Sequence, residues 1–372
     1  MPFLDLSTAQ RRMRELRENG ELDPVRFCFH TWNQYDQGRL LMGSRKVTLL
    51  LGGEPNHGKS QFTNELVMQL IEKHGFKVAL FTTESGDVEK VFAHFCGMYQ
   101  GKSYVKLRPD GKPNQYAMTD AEADEAEYFL LQHLYVFKQD RKDTGYQTLE
   151  NIYRQLEEAE RIYGIKFDSL VIDPIYDVDD FEPKASEVLR VLNRINLEAE
   201  ENNRFDIIVN HVAETAKLMD KNGNRRKLVA LADEFYGGKN NNRKAMLQLL
   251  VHRPTPTVDE NGRSLPGFEG SDIPVVWPNQ TNIHVLKVKP DGIAKWGVYD
   301  IYYDWRRRRY YEKYDDEAYH HHQRYADCTK FYDEMPNKNF KPNDFTATPE
   351  QAFGKPKEQN IFDDEEYEDM PF

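Results

Sequence analysis

The sequence predicts an α/β fold: a mainly parallel sheet with helices on both faces, plus a C-terminal antiparallel hairpin. Three observations predict it. Apolar runs of strand length alternate with amphipathic stretches of helical spacing between residues 47 and 251. One strand–helix junction carries Gly53-Glu54-Pro55-Asn56-His57-Gly58-Lys59-Ser60, which fits G-x-x-x-x-G-K-[ST] at every fixed position. Beyond residue 280 the pattern changes to two strand-like runs flanking the turn Pro290-Asp291-Gly292.

In chain order, Ala9–Asn19 reads as a helix stopped by Gly20, followed by an irregular segment rich in Phe and Tyr. Residues 1–43 are expected to be an arm on a neighbouring subunit or a cap on the core. Val47–Leu51 is a buried-type strand. The glycine-bounded loop after it aims backbone N–H groups and a helix N-terminus at a polyphosphate. Lys59 would reach the outer phosphates and the Ser60 hydroxyl would hold magnesium. Asn56 stands where a third glycine could sit; Asn tolerates positive φ. Gly53 to Ser60, with Gln61, are therefore expected to bind ATP or another nucleoside triphosphate with Mg2+. The helix runs to His74, with Phe62, Leu66, Leu70 and Ile71 on one face and Gly75 as its stop.

Phe76–Glu84 is a second buried-type strand, ending in a carboxylate, and Asp87 opens a helix. After a loop over residues 101–114, Thr119 and Glu122 make a capping box. Leu134–Phe137 is a short strand and Leu149–Tyr163 an amphipathic helix. The strand Ser169–Asp173, the helix Ala185–Asn202 and the strand Asp206–His211 follow, then a strand at Met246–Val251. Ile283–Lys289 and Gly297–Asp304 form the hairpin. The expected organisation is a lead-in (1–43), an ATPase core (44–312), a helical extension (313–329) and a disordered acidic tail (330–372).

The net charge of −12 argues by itself against a non-specific nucleic-acid coat. Residues 330–372 carry five Lys/Arg and eleven Asp/Glu, so half the excess sits in the tail. Cys28, Cys96 and Cys328 are sparse and far apart in sequence, which suggests reduced thiols rather than a disulfide or zinc framework. No apolar run approaches the roughly 18 residues of a membrane span, and the N-terminus, which mixes Arg with Asp5, Glu15, Glu18 and Glu21, resembles neither a secretory signal nor an acid-poor transit peptide. The expected location is cytoplasmic.

Ligands of open parallel sheets bind at the carboxyl ends of the strands. There the strands present the loop, Glu84, Asp173 and His211. Phosphoryl transfer needs a cradle, a metal-associated carboxylate, a water-orienting group and a sensor of the terminal phosphate. Asp173 fits the magnesium role, Glu84 the water-orienting role (with Asp177 or Asp179 as alternatives) and His211 the sensor.

With Pro55 and His57 inside its loop and a strand ending in Thr-Glu, the chain resembles the RecA-like core of Twinkle-type and DnaB-type hexameric replicative helicases. Val171-Ile172-Asp173-Pro174, the strand ending at His211, and Phe235-Tyr236-Gly237-Gly238 before Val251-His252-Arg253 match in order and spacing. Val285-Leu286-Lys287-Val288-Lys289 before Gly297 matches too. The resemblance covers about residues 38–312. It implies a RecA-like P-loop NTPase: an ATP-dependent 5′-to-3′ DNA helicase of replication, a homohexameric ring moving on single-stranded DNA. It adds Arg253 to the expected catalytic residues, and Lys287 and Lys289 as a finger entering the neighbouring subunit's site. Lys289 stands where the family usually has Arg, and Lys lacks the bidentate fork. Ile175-Tyr176-Asp177 lacks the Tyr-Asn pair common in Twinkle-like chains. There is no room for a primase or collar domain, so a shortened phage-type version fits, in the cytoplasm of a bacterium or infected host. The rivals are a RecA-like recombination ATPase and a non-unwinding, ATP-gated loader.

Lys217, Lys221, Arg225, Arg226 and Lys227 lie in a long loop that reads as DNA-contacting or simply solvated. Arg306 to Arg309 among aromatics suit single-stranded nucleic acid, a subunit interface or plain surface. His320-His321-His322, read as successive helical residues, make no metal site. Asp369-Met370-Pro371-Phe372 closes an acidic run and resembles the tip of bacterial single-stranded DNA-binding proteins. That implies docking to primase or another replication protein, against autoinhibition or plain solubility.

Overall fold

The computed structural model describes residues 6–332 apart from 21–22, 35–37, 84–86, 138–146, 180, 182–184, 213–216, 220–222, 224, 266, 268–272, 274, 290 and 317–318. Helix α1 (Leu6–Asn19), β1 (Pro24–Arg26) and β2 (Met42–Ser44) precede β3 (Val47–Gly53). Next come α2 (Lys59–His74), β4 (Val78–Thr82), α3 (Val88–Gln100), α4 (Asp120–Leu130), β5 (Leu134–Val136), α5 (Leu149–Tyr163) and β6 (Ser169–Asp173). A 3-10 turn at Ile175–Asp177 leads to α6 (Ala185–Glu201), β7 (Phe205–His211), β8 (Lys217–Met219), β9 (Arg225–Lys227), α7 (Lys239–Lys244) and β10 (Leu247–His252). The chain closes with β11 (Gln280–Val288), β12 (Gly297–Asp304), β13 (Arg309–Asp316) and β14 (Tyr319–Tyr325).

Ten strands form one sheet in the order β14-β13-β12-β11-β10-β3-β7-β6-β4-β5. The six from β10 to β5 are parallel. The central strands are covered on both faces, which explains their unbroken apolar runs. Leu49 and Leu51 of β3 join one core with Phe62, Leu66 and Phe95 from α2 and α3. Leu50 joins the opposite core with Ile152, Leu156, Val188 and Ile195 from α5 and α6. The apolar stripes expected of those helices are thus the faces that meet the sheet, and the Thr119–Glu122 capping box opens α4.

One element expected from sequence differs from the structure, and Phe27 to Trp32 pack in the manner of the expected cap on the core. Phe27, Cys28, Phe29 and Trp32 are buried in the main core, and β1 pairs with β2, so packing continues across residue 43. The expected helical extension over 313–329 is strand: β13 and β14 add to the hairpin with Tyr311 opposite Tyr325. The free edge of β12 offers unpaired backbone groups, and a segment rich in Tyr satisfies them better as strand than as helix. His320-His321-His322 therefore lie on a strand. The C-terminal hairpin is the first half of a four-stranded antiparallel meander.

Arg309, at the start of β13, is fully buried against α2. Its guanidinium bonds Glu65 through Nε (2.8 Å) and Nη2 (3.0 Å), and Glu72 through Nη1 (3.2 Å) and Nη2 (3.0 Å). A further Nη1 bond reaches the Met98 carbonyl at 3.3 Å. Burial pushes the Glu72 carboxyl up, against the pull of Arg309. Of the basic run read as one patch, Arg307 lies over the Tyr325 and Phe331 rings, and Arg308 faces His94. Arg306 is exposed, against Tyr116 and Trp305.

Candidate nucleotide site

The loop between β3 and α2 has the backbone its residues were chosen to allow. Gly58 takes φ 87° and Asn56 φ 63°, the left-handed conformation that Asn tolerates. Lys59 Nζ donates to the Glu54 carbonyl at 3.0 Å, so the ammonium folds back over its own loop. Glu54 and His57 are 3% and 6% exposed, which their polarity does not announce. His57 Nδ1 accepts the Arg253 N–H at 3.2 Å, leaving Nε2 to face Glu54 Oε2 at 3.5 Å. Behind His57 the His252 ring lies 5.2 Å away, and His284 5.8 Å beyond it. Burial first, and His252 second, push the His284 imidazole down to about 4.

Register places the strand ends together. Gly53 pairs with both Val251 and His211, and Thr82 pairs with Asp173. The loop, Asp173, His211 and Arg253 therefore share the carboxyl edge of the parallel strands, where such sheets hold ligands. Asp173 is buried and His211 half-buried. Glu84 falls outside the described residues, two positions beyond the end of β4. Thr83 at that end donates its hydroxyl to Asp177, and Asp179 accepts the Gln147 N–H.

A cleft of ≈ 670 Å³ opens here, lined by Glu54, Pro55, Asn56, Tyr176, His211, Val212 and Tyr236. Sequence reasoning gave no role to Tyr176 or Tyr236, whose rings lie 5.1 Å apart. Tyr236 is held by its main chain: its N–H donates to His211 O (3.0 Å) and its carbonyl accepts Asn210 Nδ2 (3.0 Å). Phe235 packs so close to Gly52 that a Cβ there would come within 2.1 Å of the ring. The signal was the Phe-Tyr-Gly-Gly tetrad, in which Gly237 takes φ 98°. Burial pushes the Tyr176 phenol up, and its hydroxyl has no hydrogen-bond partner among the described residues.

The remaining expected site residues lie elsewhere. Lys287 pairs with Gln248, and the Lys289 N–H donates to the Met246 carbonyl at 2.7 Å. Those partners lie toward the start of β10: Gln248 is three residues, about 10 Å, and Met246 five residues, about 17 Å, from Val251, the register partner of Gly53. The basic loop is partly an antiparallel ribbon: Lys217 pairs with Lys227, Leu218 with Arg226 and Met219 with Arg225. It leaves the sheet after β7 and returns at the Val212–Phe235 bridge, on the loop's edge. Lys221 and the tip Asp369-Met370-Pro371-Phe372 lie outside the described residues. Among the described residues no helix is long and apolar enough to cross a membrane.

No protein-family model and no curated protein matches the chain. Solved structures do. One, an isolated ATPase domain, superposes with a TM-score of 0.57 at 11% identity, over 82% of this chain and 98% of that one. A DnaB-like replicative helicase, described with its interactions with primase, gives 0.56 at 12% identity, over 83% of this chain and 67% of that one. At that identity the likeness is one of architecture: this chain has the RecA-like α/β fold seen in that ATPase domain and in a DnaB-like replicative helicase.

Proposed function

We propose that the chain is a nucleoside-triphosphate-driven DNA helicase of the DnaB-like replicative kind, working as a ring that moves 5′ to 3′ on single-stranded DNA. The observation that supports this reading is the division of parts between the two edges of one sheet. The phosphate loop, Asp173 and His211 share one edge, and Lys287 and Lys289 stand at the other. In this reading the two lysines serve the site of a neighbouring copy in a ring.

In this reading the loop's backbone N–H groups and the α2 N-terminus cradle the phosphates, and Lys59 exchanges the Glu54 carbonyl for a phosphate oxygen. The Ser60 hydroxyl and the buried Asp173 carboxylate are hard oxygen donors that fit Mg2+, which would neutralise phosphate charge there. Glu84 orients the attacking water. Its alternatives Asp177 and Asp179 are already engaged by Thr83 and Gln147, which supports the choice. His211 reads the terminal phosphate and touches Tyr176 across the cleft. The neighbour's Lys289 neutralises charge as it develops on the transferred group. On the ribbon, where Lys217 pairs in register with Lys227, Lys217, Lys221, Arg225, Arg226 and Lys227 contact DNA phosphates.

Forked-duplex displacement with ATP, measured beside ATP hydrolysis with and without single-stranded DNA, tests the proposal. Displacement abolished by Lys59→Ala supports it. DNA-stimulated hydrolysis without displacement would point to a loader instead.

A further inference from the structure

We propose that Cys28, Asp327 and Cys328 form a binding site for a thiophilic divalent cation of the zinc class. The sequence separates the two thiols by almost the whole core; the fold joins them. Both Sγ atoms and an Asp327 carboxylate oxygen lie within 4.8 Å of one another. Ligand atoms sharing one tetrahedral zinc sit about 3.5–3.8 Å apart, given bonds of about 2.3 Å to sulfur and 2.0–2.2 Å to oxygen. Side-chain rotation alone can close that difference.

The site does not depend on its side chains for its framework. The Asp327 N–H donates to the Cys28 carbonyl at 3.0 Å, and the Cys28 N–H donates to Gln69 Oε1 of α2 at 2.9 Å. Electrostatics favour a cation as well. Cys328 Sγ lies 3.8 Å from Glu72 Oε2, and Glu72 and Glu65 share the single guanidinium of Arg309. Two sulfurs and one carboxylate select zinc-like ions over magnesium or calcium, which take oxygen alone. Cys28 is buried, whereas Asp327 is 42% exposed, so the ion has a route from solvent and room for a water as fourth ligand. Lys73 Nζ stands 3.6 Å from Asp327 as the competing counter-ion. Binding replaces two thiol protons by the metal and staples two segments, the chain after β1 and the chain after β14. None of these residues belongs to the nucleotide site.

The test is cobalt titration of the reduced, chelator-treated full chain. The expected result is one Co2+ per chain with a thiolate-to-metal charge-transfer band, displaced by Zn2+. Cys328→Ser and Cys28→Ser should abolish the band, and Cys96→Ser, outside the cluster, should keep it. Asp327→Asn should weaken binding at least about tenfold, in line with losses at metal sites generally. Lys73→Met, which removes the competing ammonium, should strengthen it. Those two variants sit at the surface and carry the test even where Cys28→Ser fails to fold. No band in folded, reduced protein overturns the proposal, as does a band that survives both cysteine changes. Loss of two titratable thiols without bound metal overturns it in favour of a disulfide.

Discussion

Replacing Arg309 by Met should destabilise the protein more than any surface change of the same size. The guanidinium is fully buried and all five of its N–H donors are used, four on two carboxylates and one on the Met98 carbonyl. Met keeps the stem's volume but strands Glu65 and Glu72 without a cation. Removing one partner of a buried ion pair costs about 3–5 kcal/mol, because the remaining charge stays desolvated. Unfolding entropy of about 2.1 cal/mol/K per residue, over about 300 residues, gives roughly 0.6 kcal/mol/K. The melting temperature should therefore fall by about 5–8 °C, read by calorimetry without nucleotide. Changing Glu65 and Glu72 to Leu in the same chain should recover most of the loss, since an apolar replacement of a whole buried network is close to neutral. A single variant melting within about 1 °C of the parent, or a triple variant worse than the single, would refute the account.

Lys59→Ala and Glu84→Gln should each lower ATP turnover at least about a hundredfold, as loss of a preorganised electrostatic contact does. Glu84→Gln should still bind nucleotide; near-normal phosphate release from it removes the role given to Glu84. Lys289→Ala mixed with Lys59→Ala should regain partial turnover through composite sites, and mixtures that exchange subunits without recovery argue against a trans role. Neutralising Lys217, Lys221, Arg225, Arg226 and Lys227 together should flatten the slope of log affinity against log salt by about 0.7 per lost phosphate contact on single strands. An unchanged slope returns the ribbon to plain solvent exposure. His94 and His284 are both pushed down to about 4 by burial, so below the ordinary 6.5 the unfolded chain takes up protons that the folded chain refuses. Stability should fall as pH drops from 6.5 toward 4, by about 3 kcal/mol per ring at 1.36 kcal/mol per unit. Melting curves from pH 7.5 to 4.5 should show this slope reduced in His94→Gln/His284→Gln; equal slopes exclude these rings as its source.

What the sequence made readable was local. The loop's turn residues, the helix after it and the polar residues ending β6 and β7 are each set by neighbours within a few positions, so pattern and geometry agreed down to Asn56. What stayed hidden depends on residues far apart in the chain. Arg309 reads as one of four consecutive arginines; its partners are on a helix some 240 positions earlier, and a buried charge carries no local mark. The meander strands β13 and β14 are strands because β12 presents an open edge, a fact of assembly and not of composition. Cys28 and Cys328 look unrelated until the β1 segment is folded under α2. Tyr236 belongs to a motif readable in the sequence, yet its place in the cleft comes from a close approach of Phe235 to Gly52.

The clamp that Arg309 makes on Glu65 and Glu72 also has a mechanical meaning. Those residues lie two turns apart on α2, the helix that begins at the phosphate loop. Helix, loop base and meander thus form one strut, crossed by four Arg309 bonds that resist both sliding and rolling. A strut does not flex to absorb a push; it passes the load on. If the proposed terminal phosphate displaces the loop, the motion should emerge on the other flank of the cleft, at the Val212–Phe235 bridge where the β8–β9 ribbon leaves the sheet. Nucleotide binding should change amide exchange in that ribbon while α2 keeps its protection, and exchange that changes first in α2 would show the strut bending instead.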